Sequence, residues 1–356
     1  MELIERLVSP EIRALSAYHV PPAKGMVKLD AMENPYSLPE ALRQEWLTKL
    51  GQVEINRYPD SGACELKSKL REVFDIPDNL GLILGNGSDE LIQMVASLVG
   101  GPGRMFLTPS PSFSMYEIIS LTTSTGFKSV SLNNDFSPNR SEFLKELENT
   151  NPACIFIAYP NNPTGNSFDR IFIEEIISTA PGLVVIDEAY FSFSGKSFLQ
   201  QIDQFSHVLV MRTLSKSGLA GLRLGMMMGH PEWIEQLEKI RLPYNINCLT
   251  QASVEFCLDH FSIFSDQAAQ IITDRMWLAE HLQKLTGLTV FPSETNFILV
   301  RLDRDADQVF ESLKHQGILV KNLHRPDTLL ENCLRVTVGT PQQNLKLVNE
   351  LGHCLR

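Results

Sequence analysis

LVVIDEAY, residues 183–190, runs an apolar stretch straight into Asp187 and Glu188, with Tyr190 close behind. Its hydrophobicity is continuous rather than alternating, the pattern of a strand covered on both faces. GLILG (81–85), RMFLT (104–108), ACIFIAY (153–159) and HVLVMRT (207–213) repeat it. Helical patterns lie between them: DELIQMVASLV behind a Ser88 cap, SEFLKELE behind Asn139 and Arg140, and FDRIFIEEIIS behind Gly165. Strand and helix in alternation predict an α/β fold, a mostly parallel sheet with helices on both faces. Such sheets take ligands at the carboxyl ends of their strands, where the acidic pair of LVVIDEAY falls.

From about residue 231 the pattern changes to long helical stretches that run through 285. TNFILVRL (295–302), a helix around 305–316, ILVKN (318–322), CLRVTVG (333–339) and a last helix follow. This predicts a smaller α/β domain completed by the N-terminal segment. The expected division is a large domain over 30–245 and a small one made of 1–29 together with 246–356.

Composition narrows the partners. At 356 residues, 43% hydrophobic and 21% charged, the chain can build one large core or two ordinary ones. Its 31 basic and 42 acidic residues leave a formal charge of −11, and no basic run offers a footprint for nucleic acid. The six cysteines (Cys64, Cys154, Cys248, Cys257, Cys333 and Cys354) are scattered, without metal-ligand spacing, and read as reduced thiols of a cytoplasmic protein. The first twenty residues carry Glu2, Glu5 and Glu11 and no long apolar core, so neither export nor membrane insertion is expected.

A carboxylate at the end of a buried strand is costly unless it meets a positive partner. For Asp187 alone, a helix cap or a structural ion pair would answer. The acidic strand end and the later SGKS (194–197) suggest a phosphate loop with its magnesium strand. That reading fails on spacing, because Tyr190 stands where the loop needs its first glycine, and because the loop should precede the acidic strand. YPNNPTG (159–165) makes a rigid turn that fixes an amide at the mouth of the sheet. LGNGSDE (84–90) follows a strand and opens a helix, so its amides and helix dipole form an anion site. Asp89 and Glu90 would compete with an anion there, and must point aside or serve other partners.

YPNNPTG, LVVIDEAY and TLSKSGLAGLR (213–223), in that order and at those separations, resemble the fold-type-I pyridoxal-phosphate aminotransferases over nearly the whole chain. The resemblance implies that Lys216 holds pyridoxal 5'-phosphate as a Schiff base, which needs a desolvated amine beside positive charge. It implies that Ser215, Arg223 and Ser88 with its neighbouring amides meet the cofactor phosphate, and that Asp89 also lies at the cofactor. Asp187 would pair with the pyridinium nitrogen, Tyr190 and Asn162 with the ring oxygen, and Phe113 would stack on the ring. Lys216, once released, would serve as the general base. RYPDSG (57–62) resembles the segment through which one subunit reaches its partner's cofactor phosphate, here by Tyr58, which implies a homodimer with shared active sites.

LDAMENPY (29–36), RYPD and CLRVTVGTP (333–341) look most like histidinol-phosphate aminotransferases. By that resemblance Tyr18, Asn34, Lys321 and Arg335 face the substrates, a phosphorylated amino alcohol and the pair 2-oxoglutarate and glutamate. Arg335 would be the anion clamp. Lys321 stands where some members have a second arginine and offers a point charge without bidentate geometry. An aromatic aminotransferase or a threonine-phosphate decarboxylase would share this architecture. A non-catalytic regulator on the same fold would carry a DNA-binding extension, for which the sequence has no room.

Overall fold

A computed structural model of the chain describes residues 2–17 and 21–356. Its strands are β1 (Val27–Leu29), β2 (Gly81–Asn86), β3 (Met105–Ser110), β4 (Gly126–Ser131), β5 (Cys154–Ala158), β6 (Leu183–Asp187), β7 (Val208–Thr213), β8 (Leu224–Gly229), β9 (Leu288–Val290), β10 (Phe297–Leu302), β11 (Ile318–Asn322) and β12 (Cys333–Thr337). They form a seven-stranded sheet in the order β2-β8-β7-β6-β5-β3-β4 and a five-stranded sheet in the order β1-β11-β12-β10-β9.

In the larger sheet β3, β4, β5, β6 and β7 pair in parallel, while β8 runs antiparallel between β2 and β7. The reason is the short connection over residues 214–223. A parallel neighbour needs a crossover of about a dozen residues or more, usually with a helix, so the chain can only turn back. β5, β6 and β7 are buried along their whole length, as their unbroken hydrophobicity predicts, and so is β8. β4 and β8 escape the sequence pattern. β4, GFKSVS, is an edge strand with one polar face, and β8, LGMMMG, is framed by glycines and filled by unbranched methionines of low strand preference.

The expected Ser88 cap is not one. The helix Gly87–Val99 begins two residues earlier, with Asn86 at the cap position and no side chain capping it. Gly87, at φ 79°, makes the sharp entry that only glycine adopts freely. The first amides of this helix are therefore not taken up by a capping side chain. Asn139 does cap the helix Arg140–Thr150, accepting from the Glu142 amide.

The helix Cys248–Asp259 also departs from expectation. A boundary at 246 would give it to the small domain, yet Val254, Phe256, Cys257 and Leu258 share one apolar cluster with β5, β6 and β7. The helix Phe261–Gln283 bridges the two units, with Phe264 in that cluster and Ile271, Leu278 and Leu282 packed against the smaller sheet. β1 joins β11 in parallel and ties the N-terminal segment to the smaller sheet.

Candidate active site

The carboxyl ends of β5, β6 and β7 and of β2, which is parallel to β7 across β8, meet at one edge of the large sheet. There lies a pocket of about 540 Å³ counted to its open mouth. Each strand end brings a different chemistry. β2 runs into the amide-rich start of the helix Gly87–Val99, with Ser88 and Asp89 in the wall. The turn after β5 brings Asn162, β6 ends in Asp187, and the loop after β7 brings Ser215, Lys216 and Arg223.

Lys216 is almost fully enclosed. Burial, reinforced by the Arg335 guanidinium, lowers its ammonium from 10.5 to about 8. Its Nζ donates one long bond, 3.4 Å, to the Ala31 carbonyl. Around it the loop turns through Gly218 at φ 116° and Arg223 in the left-handed region. A Cβ at Gly218 would stand 2.9 Å from Asn34 Nδ2 and 3.1 Å from the Phe264 ring, so only glycine lets the loop pass.

Asp187 is buried, and burial raises its carboxyl from 3.8 to about 6 against two opposing hydrogen bonds. Its Oδ2 accepts from the Tyr116 hydroxyl at 2.7 Å and its Oδ1 from the Ala189 amide at 3.0 Å. Neither donor is a cation, so the structural ion pair that would suit an isolated aspartate is not formed here. Its neighbour Glu188 makes that pair instead, with Arg212 at 2.9 Å, both buried, and also accepts from Ser197 and the Phe198 amide. SGKS serves structure: Ser197 holds Glu188, and Lys196 pairs with Glu294 at 2.7 Å.

Where β2 meets the helix Gly87–Val99, Glu90 points aside, accepting from the Asn86 amide at 2.6 Å and from Asn245. Asp89 stays in the wall, paired to Arg223 at 3.3 Å. Both are half exposed, so the pair is weak and yields readily to an incoming anion. Arg223 lies against Gly87, where a Cβ would meet its Nη2 at 2.6 Å. The Ser215 hydroxyl accepts from Thr213 at 3.0 Å.

Tyr190 lines the pocket and is buried, which raises its phenol; its hydroxyl donates to the Met32 sulfur at 3.1 Å. Phe113 lines the same pocket, edge-on to Tyr116. Arg335, on β12, donates to Asn162 Oδ1 at 2.6 Å and to the Asp30 carbonyl at 3.0 Å. Lys321 stands directly across from it on β11, half-buried, its ammonium lowered by burial and by Arg335.

Asn34, expected at the site, sits elsewhere in this chain, and Arg335 and Lys321 are not among the residues that line the pocket. Asn34 lies behind the lysine loop, its amide donating to Gln267 and its oxygen accepting from Tyr36, so both ends are engaged away from the pocket. Tyr58 is 80% exposed, stacked on Tyr244 with ring centres 4.4 Å apart, and does not line the pocket. Tyr18 lies outside the described residues. Sequence reasoning passed over Met32, held in the left-handed region at φ 55° inside the quoted LDAMENPY, and Tyr116, three residues beyond Phe113. The clue to Tyr116 is a phenol on the face that its helix buries with Ile119, where the hydroxyl needs a partner.

The profile described as aminotransferase class I and II matches residues 24–351. The chain belongs to this family. Its cofactor is accordingly pyridoxal 5'-phosphate. A protein of Nitrosococcus oceani named histidinol-phosphate aminotransferase 2 is 49% identical over 342 residues, covering 96% of this chain and 95% of its own. A histidinol-phosphate aminotransferase of Chromobacterium violaceum is 47% identical, covering 98% of both. Among solved structures, the histidinol-phosphate aminotransferase of Clostridium acetobutylicum has a TM-score of 0.84 at 22% identity, covering 92% of this chain and 99% of its own. The L-threonine-O-3-phosphate decarboxylase of Porphyromonas gingivalis has a TM-score of 0.80 at 22% identity, over 93% and 99%. At that identity both speak for the fold alone, which is that of an aminotransferase. Among the described residues no helix is long and apolar enough to cross a membrane, and no cluster of side chains could hold a metal ion.

Proposed function

We propose that this aminotransferase moves an amino group between L-histidinol phosphate and 2-oxoglutarate, giving imidazole-acetol phosphate and glutamate, as a cytoplasmic homodimer with shared active sites in histidine biosynthesis. The observation that carries the reading is the meeting of a buried, easily neutralised amine with a buried carboxylate in one pocket, on a chain nearly half identical to proteins named for that reaction. The working units follow the two sheets, residues 30–245 and 1–29 with 246–356, except that the helix Cys248–Asp259 goes with the larger unit.

The residues present fit pyridoxal phosphate. A helix start without a capping side chain, the Ser215 hydroxyl and Arg223 suit a phosphate, and Gly87 lets it come close to the backbone. Lys216 suits the aldehyde, Asp187 a protonated ring nitrogen, and Tyr190 and Asn162 a ring oxygen. Bound there, the cofactor supplies a ring that takes up the electron pair left when the substrate loses a proton from carbon. Lys216 Nζ, near 8, can accept that proton and give it up again at neutral pH. Asp187, ionised, holds a proton on the ring nitrogen. Phe113 covers one face and excludes water from it. Arg335 presents a planar fork and Lys321 a point charge to whichever anion enters, the phosphate of one substrate or the carboxylate of the other.

Single-turnover absorbance of the bound cofactor tests the substrate. Histidinol phosphate should convert it fastest, and 2-oxoglutarate should restore it. Faster conversion by phenylalanine or tyrosine would make the chain an aromatic aminotransferase, and carbon dioxide released from threonine phosphate would make it a decarboxylase. Arg335→Lys should slow both half-reactions by roughly one to two decades, the worth of a charge-assisted hydrogen bond. Lys321→Ala should harm histidinol phosphate more than phenylalanine.

A further inference from the structure

Tyr116 stands outside the pocket, yet its hydroxyl reaches the pocket through another residue. It belongs to the helix Met115–Thr122 and is completely buried. Its ring lies flat on Phe156 of β5, 4.8 Å away at 12°, and meets the edge of Phe113 at 5.6 Å. Clamped in this way, the phenol points at one acceptor, Asp187 Oδ2, at 2.7 Å. A buried tyrosine needs some partner; this one is matched to the carboxylate that faces the pocket.

We propose that Tyr116 is a positioning residue for the transamination, one that fixes the rotation of the Asp187 carboxylate and favours its ionised form. This rests on the reading of Asp187 as partner of the cofactor ring nitrogen. With Tyr116 on Oδ2 and the Ala189 amide on Oδ1, the carboxylate plane is set by one donor on each oxygen, and a lone pair remains for the ring nitrogen. Burial alone would drive the carboxyl towards its neutral acid. Tyr116 opposes that, and since its own phenol is raised well above the ordinary tyrosine range it remains a donor at every working pH.

The test is Tyr116→Phe in the holoenzyme, which keeps the stacked ring and removes only the hydroxyl. Deprotonated Asp187 loses a donor, so its pKa rises and the acid limb of kcat/KM should move to higher pH. The half-reaction rate should fall about tenfold or more, with substrate KM little changed, and the absorbance of bound cofactor should titrate at a shifted pH. In an Asp187→Asn background the same change should leave cofactor retention and absorbance where they were. An unmoved pH profile and spectrum in Tyr116→Phe would overturn the proposal, as would an equal loss of cofactor in both backgrounds, which marks a packing role. Near-normal turnover by Asp187→Asn itself would instead sink the underlying assignment of Asp187, and is read separately.

Discussion

At the scale of single residues, Lys216 is set apart by its surroundings. An ordinary lysine near 10.5 is almost wholly charged at neutral pH, whereas burial and the nearby Arg335 bring this one to about 8. The uncharged amine is the nucleophile, so capture of pyridoxal phosphate by the cofactor-free protein should quicken about tenfold per pH unit below 8 and level off above it. Stopped-flow absorbance measures this, and a rate still climbing towards 10 would refute the lowered value. Borohydride should then fix the cofactor to the peptide that contains Lys216, and Lys216→Ala should lose turnover. Asp187→Asn separates two roles by the same logic. It keeps size and removes charge, so kcat should drop by about a hundredfold or more while the melting temperature barely moves. A large loss of stability with intact turnover would return Asp187 to a structural part.

At the scale of elements, the proposed phosphate-binding end depends on close backbone contact. Gly225 of β8 pairs with Gly85 of β2, and a Cβ at 225 would lie 2.5 Å from the Gly87 carbonyl carbon and 2.8 Å from the Ser88 nitrogen. Gly225→Ala must therefore push the start of the helix Gly87–Val99 out of place. Cofactor retention should fall at least about tenfold, and overpacking should cost about 1–3 kcal/mol in a denaturant melt. Gly221→Ala is the control, since its Cβ would meet nothing within 4 Å. Cofactor retention equal in the two variants would show that this contact does not govern the anion site.

At the scale of the whole molecule, the position of Tyr58 bears on assembly. It is exposed and stacked on Tyr244, with Ile55 and Leu242 also exposed nearby in sequence to one or the other. In the proposed homodimer each Tyr58 completes the partner's pocket. Tyr58→Ala and Lys216→Ala should each be poor enzymes. Subunits of the two, unfolded together and refolded, should regain activity above either parent, because one site of each mixed dimer keeps both residues. No regain, in a preparation shown by light scattering to be dimeric, would mean that the sites are not shared.

Local pattern carried most of the architecture. The limits of LVVID and ILVKN coincide with β6 and β11, because each opens on an unbroken run of buried apolar residues and closes on polar ones. The order of YPNNPTG, LVVIDEAY and TLSKSGLAGLR likewise determined which residues would share a pocket, since strand ends on one side of a parallel sheet must gather there. What no local pattern could reveal was contact between distant segments. Tyr116 and Asp187 are 71 residues apart, and Arg335 reaches Asn162 across 173. The choice of Glu188, not Asp187, as the partner of Arg212 is of the same kind, as is the packing of Cys248–Asp259 on the large sheet. Burial and charge pairing depend on everything that surrounds a side chain, and only the assembled tertiary structure settles which neighbours those are.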